Sequence, residues 1–416
     1  MRDIHMRLWV ALFLSTVCGR GAAFYLHPDD VVVFYGDSIT DQRLYTTFVE
    51  TFVVTRYPKL PVRFVHSGWG GDRVTGGGGG RIDNRLERDV LAYKPTVMTV
   101  MLGMNDGNYK PFDDATFQIF CDGYEHIVKF MKDAIPGLRI TVIDPSPYDD
   151  VTRAPLFPGG YNAVLLKYGE YLRTSAQRNN LDFADLNTRL VKALERANDK
   201  DPATALKILP DRVHPGASGH LLMAASLLEA WGATPTVTAV EIDAAAVKVK
   251  DAVNTAVSGL ESKDSLSWTQ KDEALPMPVA RNDAAIKLAM ESSDFREKFN
   301  QETLRVTGLS APEYSLAING HTIGTFTGEA LAAGVNLAEF DTPMMQQATQ
   351  VHTLTLKRAE VHNFRWRQVQ LPLQTTLPAR VAAVDDNLDA LDNDLAAIQR
   401  ATAQPASCVY NLTPIR

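Results

Sequence analysis

Runs of apolar residues alternate with amphipathic stretches along the first half of the chain. Each run is short and rich in β-branched and aromatic residues, and the stretch after it repeats its apolar positions every three or four residues. The first pattern is typical of buried strands and the second of helices. The predicted strands are residues 31–35, 62–65, 96–102, 139–143 and 181–186. Five strands separated by helices predict an α/β domain with a parallel sheet covered by helices on both faces.

The pattern changes after Thr234-Pro235-Thr236, so we predict that this domain spans residues 24–235. Residues 237–260 are rich in alanine and valine with regularly spaced charges, which predicts a strand followed by a helix. Residues 280–300 have helical spacing. We therefore interpret residues 236–304 as a helical connecting region.

Alternation of polar and apolar positions returns in residues 305–370, which predicts a small antiparallel β module. Asn319-Gly320 lies between two alternating runs, and this dipeptide is a strong signal for a tight hairpin. Residues 351–370 alternate as well and are predicted to be strands. Leucines and alanines at three- and four-residue spacing then predict one helix and a tail in residues 371–416.

Composition narrows the class of protein without naming an activity. Of the 416 residues, 45% are hydrophobic and 22% are charged, as in ordinary globular proteins. The net charge of −7 and the lack of any basic run argue against a nucleic-acid partner. The sequence has no CxxC pair and no pair of histidines at ligand spacing, so we predict neither a metal nor any other cofactor.

The N-terminus has the three parts of a secretory signal peptide. Two arginines precede the apolar run LWVALFLSTVC, and small residues follow with a cleavage site predicted after Ala23. The run is too short for a membrane span. We predict a signal peptide at residues 1–23, a secreted or periplasmic protein, and no integral membrane span after its removal. Loss of Cys18 would leave Cys121 and Cys408, whose pairing stays open.

An acid and a histidine in one predicted loop are the first candidate catalytic residues. Asp211 precedes His214 by three residues, which lets its carboxylate reach one ring nitrogen while the other faces a nucleophile. By itself this pair is more often a solvated acid and a surface histidine. Ser38, at the end of the first predicted strand, supplies a hydroxyl and makes the pair a candidate triad.

Three groups are candidate donors to the oxyanion that such a triad would create. Ser38 offers its own N–H, Gly71 offers a second N–H from a glycine-rich loop, and Asn105 offers a side-chain amide. Taken singly, Gly71 is better explained by a turn and Asn105 by a turn or a helix cap. All of these segments follow predicted strands or lie in a late loop, and ligands of parallel sheets bind at the carboxyl ends of strands.

Four segments in this order resemble the conserved blocks of the SGNH (GDSL-type) hydrolases, over about residues 30–232. They read GDSIT, SGWGGD, GMNDG and DRVHP. The first departs from the common Gly-Asp-Ser-Leu by an isoleucine. The resemblance implies Ser38 as nucleophile, His214 as base oriented by Asp211, and an oxyanion hole from Ser38, Gly71 and Asn105. It also implies a flavodoxin-like three-layer α/β/α fold with about five parallel strands, with the C-terminal part as a helical and small antiparallel β extension.

Five further residues are weaker candidates for binding the substrate. Trp69, Tyr109 and Tyr148 occur in the loops expected around the pocket, and Asp37 and Asp106 adjoin the proposed site residues. For the two aspartates, hydrogen bonds within the loops are the simpler interpretation. For the aromatic residues, packing is the simpler interpretation and stacking on a sugar is the functional one.

Together these features predict a secreted serine esterase that cleaves carboxylic esters through an acyl-enzyme, with an acylated carbohydrate as a candidate substrate. Its partners are then a small-molecule or polysaccharide ester, with no nucleic acid. Two alternatives stay open. The same groups could transfer an acyl group to a sugar, or the chain could be a non-catalytic glycan-binding protein.

Overall fold

The computed structural model describes residues 24–415. The predicted signal peptide, residues 1–23, lies outside this range. The first part of the described chain alternates strands and helices as predicted. Its elements are β1 (Val31–Gly36), α1 (Ser38–Asp41), α2 (Leu44–Arg56), β2 (Arg63–Gly68), β3 (Gly76–Gly77), β4 (Gly80–Arg81), α3 (Ile82–Asp89), β5 (Val97–Met101), α4 (Asp114–Ala134), β6 (Arg139–Ile143), α5 (Gly160–Asn179), β7 (Asp182–Ala184), α6 (Asn187–Lys200), α7 (Pro202–Ala205) and α8 (Ala217–Ala230).

Five of these strands form one parallel sheet in the order β2-β1-β5-β6-β7. This is the flavodoxin-like arrangement, in which the chain reverses direction across the sheet beside β1. The strands read as continuous apolar runs because helices cover them, and all five residues of β5 are buried. The predicted fold class of the first half is therefore confirmed.

The second part contains two further sheets and several helices. A mixed sheet has the order β15-β12-β8-β9, and an antiparallel sheet has the order β10-β11-β16-β13-β14. Buried residues of both sheets belong to one hydrophobic cluster. The elements are β8 (Thr236–Asp243), β9 (Lys248–Val253), β10 (Thr255–Ser262), β11 (Leu266–Asp272), α9 (Ala284–Glu291), α10 (Phe295–Phe299), β12 (Gln301–Thr307), β13 (Glu313–Ile318), β14 (His321–Thr327), α11 (Gly328–Ala333), β15 (Val335–Asn336), α12 (Pro343–Asn363), α13 (Leu371–Leu373), α14 (Pro378–Thr402) and β16 (Ser407–Pro414).

The strand predicted at the start of residues 237–260 is present as β8, but the helix predicted after it is wrong, because the chain continues as the strands β9, β10 and β11. Strands β9 and β10 are largely exposed, so their alanines and regular charges carry no clear period of two. Pairing with β8 and β11 makes them strands, and a local pattern does not report such pairing. The helix predicted in residues 280–300 is present as α9 and α10.

Within the predicted β module, the hairpin around Asn319-Gly320 is confirmed, because Ile318 pairs with His321 and both turn residues have positive φ. The strands predicted at 351–370 are wrong. This stretch continues α12 through a π-helical segment, Phe364–Gln370. Val351, Thr355 and Ala359 are buried along α12, a spacing of four that the polar–apolar alternation obscured.

The helix predicted in residues 371–416 is confirmed as α14, but the tail after it is not irregular. It forms β16, which lies between β11 and β13 at the centre of the antiparallel sheet. Alternate residues of β16 are buried, so its pattern is that of a strand with one face on the core. The domain boundaries drawn from the sequence stay predictions.

Residues 343–402, here called the C-terminal arm, return to the α/β part of the chain. Helix α12 packs on α14, α2 and β2. Arg358 of the arm is buried and donates to Glu50 of α2, with 2.6 Å between Nη1 and Oε1, and its Nε lies 2.9 Å from Oδ1 of Asp392. Burial alone would raise the pKa of Glu50, but the nearby Arg358 guanidinium, together with hydrogen bonds to the carboxylate, outweighs burial and holds the pKa below its usual value.

Among residues 24–415, no helix is long and apolar enough to cross a membrane. In the same range no three His, Cys, Asp or Glu side chains come together as metal ligands would. Cys121 and Cys408 are both buried and do not pair with each other.

We expect Arg358→Leu to lower the free energy of unfolding by about 3 to 5 kcal/mol, because it leaves the Glu50 carboxylate buried without its cation. Urea denaturation measures this change. Lys357→Gln removes a charge from the neighbouring exposed position and should change stability by less than about 0.5 kcal/mol. Equal effects of the two substitutions would contradict this account of how the arm docks.

Glu302 of β12 predicts a pH dependence of stability. Its side chain is buried, neither carboxylate oxygen has a hydrogen-bond partner within residues 24–415, and burial raises its pKa from 4.5 to about 8. The unfolded chain therefore binds fewer protons than the folded one between about pH 4.5 and pH 8, so stability from this group is lost as pH rises through that window.

We expect Glu302→Gln to remove this loss. The variant should unfold like the parent at pH 4.5 but be more stable at pH 8.5 by an amount on the order of 3 kcal/mol. Urea denaturation at both pH values is the measurement, with Glu297→Gln on the exposed face of α10 as the control. Parallel pH profiles for parent and Glu302→Gln would contradict the prediction.

Candidate active site

Ser38 lies where β1 ends and is the first residue of the short helix α1. Asp37 caps this helix, since its Oδ1 accepts a hydrogen bond of 3.0 Å from the Ile39 N–H. The first N–H groups of a helix have no partner within it. The Ser38 hydroxyl is therefore presented at the carboxyl edge of the sheet, beside free backbone donors, in a half-buried position.

Asp211 and His214 lie in the loop between α7 and α8 and form a chain of hydrogen bonds with Ser38. His214 Nδ1 is 2.7 Å from Asp211 Oδ2, and His214 Nε2 is 2.9 Å from Ser38 Oγ. The loop is held by Asp211 itself, whose Oδ1 accepts from the N–H groups of Val213 and His214 at 3.0 and 2.7 Å. The structure thus brings together all three residues that the sequence selected.

The charge on Asp211 follows from these contacts. Partial burial would raise the pKa of its carboxyl group, but the hydrogen bonds from the His214 backbone and ring and from the Val213 N–H outweigh burial and lower the pKa. Asp211 is therefore ionised at neutral pH and accepts the Nδ1 proton of His214. That tautomer leaves His214 Nε2 with a lone pair facing the Ser38 hydroxyl.

The glycine-rich loop after β2 presents Gly71 on the surface. Gly71 has a φ of +76°, a conformation that glycine adopts without the steric cost of a side chain. The next residue, Asp72, is fully buried, and its carbonyl oxygen accepts a hydrogen bond of 3.0 Å from Asn105 Nδ2. Asp72 therefore ties together the two loops that carry Gly71 and Asn105.

Asn105 is oriented from its other end by Tyr109. The Tyr109 hydroxyl donates to Asn105 Oδ1 across 2.9 Å. Since the oxygen of the amide is held by Tyr109 and one N–H by the Asp72 carbonyl, the second N–H of Asn105 Nδ2 is left for another acceptor. Tyr109, a candidate for substrate binding from the sequence, thus contacts a candidate oxyanion donor.

A buried network of charged side chains holds the loop that carries Gly71 and Asp72. Arg85 of α3 is completely buried, and it donates to Asp72 Oδ2 at 2.7 Å and to the Ser67 carbonyl at 2.9 Å. It also pairs with buried Asp89. The arm reaches the same network through Trp366, whose Nε1 donates to Asp89 Oδ1 at 2.8 Å. The composition of α3 gave no sign that its arginine would be internal.

Three of the weaker sequence candidates are buried, which leaves little of them for a substrate to contact. Asp37, Asp106 and Tyr148 are exposed by 1%, 7% and 5%. Burial raises the pKa of Asp37 to about 7 and that of Asp106 to about 6. Asp106 Oδ1 accepts from the Val74 N–H at 3.0 Å, so its hydrogen bond lies within the loops, like that of Asp37.

Trp69 is partly exposed, but one face of its ring is covered by a residue of the arm. The Arg367 guanidinium carbon lies 3.5 Å from the Trp69 ring centroid, and Trp366 contacts the indole edge-on at 5.7 Å. Arg367 Nη2 also lies 3.3 Å from Asp41 Oδ2 of α1. Trp69 therefore packs against an arm residue that also contacts α1, and its ring does not offer two free faces to a ligand.

A cleft of about 590 Å³ opens beside Ser38, and every side chain that lines it is polar. Six of these residues were not selected from the sequence. Three lie three to five residues after Ser38, so their proximity in sequence was a readable signal, whereas three come from the arm and no local pattern indicated them. The lining residues are Ser38, Asp41, Gln42, Arg43, Asp211, His214, Asn363, Arg367 and Gln368.

Comparison with known proteins identifies the class of the first half of the chain. Residues 34–222 match the model of the GDSL-like Lipase/Acylhydrolase family. This part of the chain is therefore a GDSL-like lipase/acylhydrolase domain, which confirms the family that the sequence motifs indicated and supports a hydrolase acting on esters.

Individual relatives extend the comparison. An acetylxylan esterase of Geobacillus stearothermophilus is 25% identical over 223 residues, 48% of this chain and 93% of that protein. The structure of a gut microbial diltiazem-metabolizing enzyme, 26% identical, matches 94% of this chain and 98% of its own with a TM-score of 0.81. A crystal structure of an acetylxylan esterase from G. stearothermophilus, 24% identical, covers 50% of this chain and 96% of its own with a TM-score of 0.40. The second of these shares the fold of nearly the whole chain, including the C-terminal sheets.

We expect Tyr109→Phe to lower kcat for ester hydrolysis about tenfold with little change in KM, because it frees the Asn105 amide to rotate away from a developing oxyanion. Steady-state kinetics with 4-nitrophenyl acetate measure both constants. Tyr171→Phe, which removes a hydroxyl bonded to Glu125 between α4 and α5, is the matched control. A raised KM at constant kcat would instead make Tyr109 a residue that binds the ground state.

Proposed function

We propose that this protein is a serine esterase that removes acetyl groups from O-acetylated carbohydrate. The observation that carries the proposal is the hydrogen-bonded chain from Asp211 through His214 to Ser38, with 2.7 and 2.9 Å between the linked atoms. A hydroxyl, a base and an acid that orients the base are the groups that nucleophilic acyl transfer requires.

The first half-reaction forms an acyl-enzyme. Ser38 Oγ bonds to the acyl carbon while His214 Nε2 takes the hydroxyl proton, and the negative charge moves to the former carbonyl oxygen. The Ser38 and Gly71 N–H groups and the Asn105 amide donate hydrogen bonds to this oxygen. Collapse of the tetrahedral intermediate breaks the bond to the alcohol oxygen, which leaves with the proton from His214.

Water completes the cycle. His214 takes a proton from water as the water oxygen attacks the acyl carbon, and the returning proton releases Ser38 and the carboxylic acid. Throughout, ionised Asp211 holds the His214 ring and stabilises its charged form. No metal has a part in this scheme.

The polarity of the cleft supports a substrate whose alcohol part is polar, such as a sugar, rather than a lipid ester. Its lining side chains are all polar, and binding sites for long acyl chains are predominantly apolar. The similarity to an acetylxylan esterase agrees with an acetylated sugar, and the similarity to a diltiazem-metabolizing enzyme is compatible with other small esters. We further propose that the protein is secreted or periplasmic, on the basis of the predicted signal peptide.

We expect Ser38→Ala to lower kcat for 4-nitrophenyl acetate by about a thousandfold or more, because the nucleophile is lost while the fold is kept. A fluorophosphonate should label the parent at Ser38 and leave the variant unlabelled. Ser258→Ala, on the exposed strand β10, is the control for the substitution itself. Unchanged turnover in Ser38→Ala would refute Ser38 as the nucleophile, whereas a parent without turnover would favour the binding-protein alternative.

Product analysis separates hydrolysis from transfer. We expect an acetylated xylo-oligosaccharide to yield free acetate in amounts equal to the ester groups lost, also when xylose is added. Acetylated xylose as the main product would favour the acyltransferase alternative.

A further inference from the structure

Gln42 lies immediately beside the proposed nucleophile. It follows Ser38 by four residues and caps the same short helix, since its backbone N–H donates to the Ser38 carbonyl. Side chains four residues apart on a helix project from the same face. The Gln42 side chain is exposed and lines the cleft together with Ser38 and His214.

His220 of α8 fixes which end of the Gln42 amide faces the cleft. His220 is completely buried, its Nδ1 lies 3.2 Å from the Tyr45 N–H, and its Nε2 lies 2.9 Å from Gln42 Oε1. Because Nδ1 accepts from a backbone donor, the single proton of a neutral ring must be on Nε2. That proton can only be donated to the oxygen of Gln42.

Burial makes the neutral ring the stable form over the whole working range of pH. Desolvation, with a smaller effect from His214, lowers the pKa of His220 to about 3. Since the amide oxygen is bound to His220, the amide nitrogen of Gln42 points the other way. Within the described part of the chain, this nitrogen has no acceptor, so two N–H groups are directed to the cleft.

Neighbouring side chains extend this set of free donors. Arg43 has a φ of +59°, which is uncommon for a residue other than glycine, and its Nη1 donates to the Asp41 carbonyl and to Asn363 Oδ1. Its Nε and Nη2 have no acceptor among residues 24–415. The exposed Gln368 side chain of the arm also lines the cleft without a hydrogen bond to the described protein.

From this geometry we infer that Gln42 is a substrate-binding residue, whose amide N–H groups donate to hydroxyl or ring oxygens of a carbohydrate ester, and that His220 is the positioning residue that orients it. The inference rests on the proposed function for the place of the ester, and it adds the residue that recognises the alcohol part. Sugar oxygens suit this site because a carbohydrate presents many acceptors close to the scissile ester.

Binding to a variant that cannot turn over tests the inference without relying on activity. In the Ser38→Ala background, we expect Gln42→Glu to raise the Kd of acetylated xylotriose about five- to tenfold, as expected for the loss of one hydrogen bond to a ligand. Glutamate keeps the shape and still accepts from His220, but it offers no donor when ionised. Gln177→Glu adds the same charge on the exposed side of α5 and is the matched control. Isothermal titration calorimetry measures each Kd.

The role of His220 is tested by non-additivity. We expect His220→Leu to raise the Kd about threefold when Gln42 is present and to have no further effect in a Gln42→Ala background, because there is then no amide to orient. A purely structural role of His220 would give the same loss in both backgrounds. Circular dichroism checks that each variant is folded.

The outcomes separate this inference from the proposed function. If the parent hydrolyses 4-nitrophenyl acetate but Gln42→Glu changes the Kd no more than Gln177→Glu, the inference is overturned and the esterase stands. If Gln42→Glu weakens binding but the parent shows no turnover, the proposed binding site is supported and the proposed esterase activity is refuted. Failure of acetylated xylotriose to bind at all would overturn the inference.

Discussion

The arrangement of the candidate site depends on one buried cation. Arg85 lies in the interior between Asp72 and Asp89, and it supplies the cation that pairs with the buried Asp72 carboxylate. Asp72 is also the residue that follows Gly71 and that accepts from Asn105, so the pairing with Arg85 fixes the relative position of two candidate oxyanion donors. A buried ion pair thereby helps to set the geometry of exposed Gly71 and buried Asn105.

The same network makes the C-terminal arm part of the site. Trp366 donates to Asp89, and Arg367 stacks on Trp69 and pairs with Asp41 of the helix that begins with Ser38. The arm thus contacts both the buried ion network and the residues next to the nucleophile. The arm also docks on α2 through a buried ion pair, Arg358 with Glu50. This pairing of buried charges helps to fix the arm against the α/β part of the chain.

The polar groups of the site divide into those that face inward and those that face the cleft. Buried Asp37 and Asp106 accept hydrogen bonds from loop N–H groups and keep the loops in place. His220 is buried and neutral, and it acts on the cleft only through the orientation of Gln42. This division explains why proximity in sequence to Ser38 or Asn105 did not by itself identify the groups that a substrate would meet.

The sequence by itself determined the parallel α/β unit and the group of Ser38, Asp211 and His214, because apolar periodicity and motif order are local properties of the chain. It did not determine the strands β9 to β11, the helical course of residues 351–370 or the strand β16, since neighbouring strands and the docking surface of α2 decided those structures. Nor did it indicate Arg367 at the cleft, more than 300 residues from Ser38. Only tertiary packing brings such residues together, because which charges and apolar faces become buried depends on contacts between segments that are distant in the sequence.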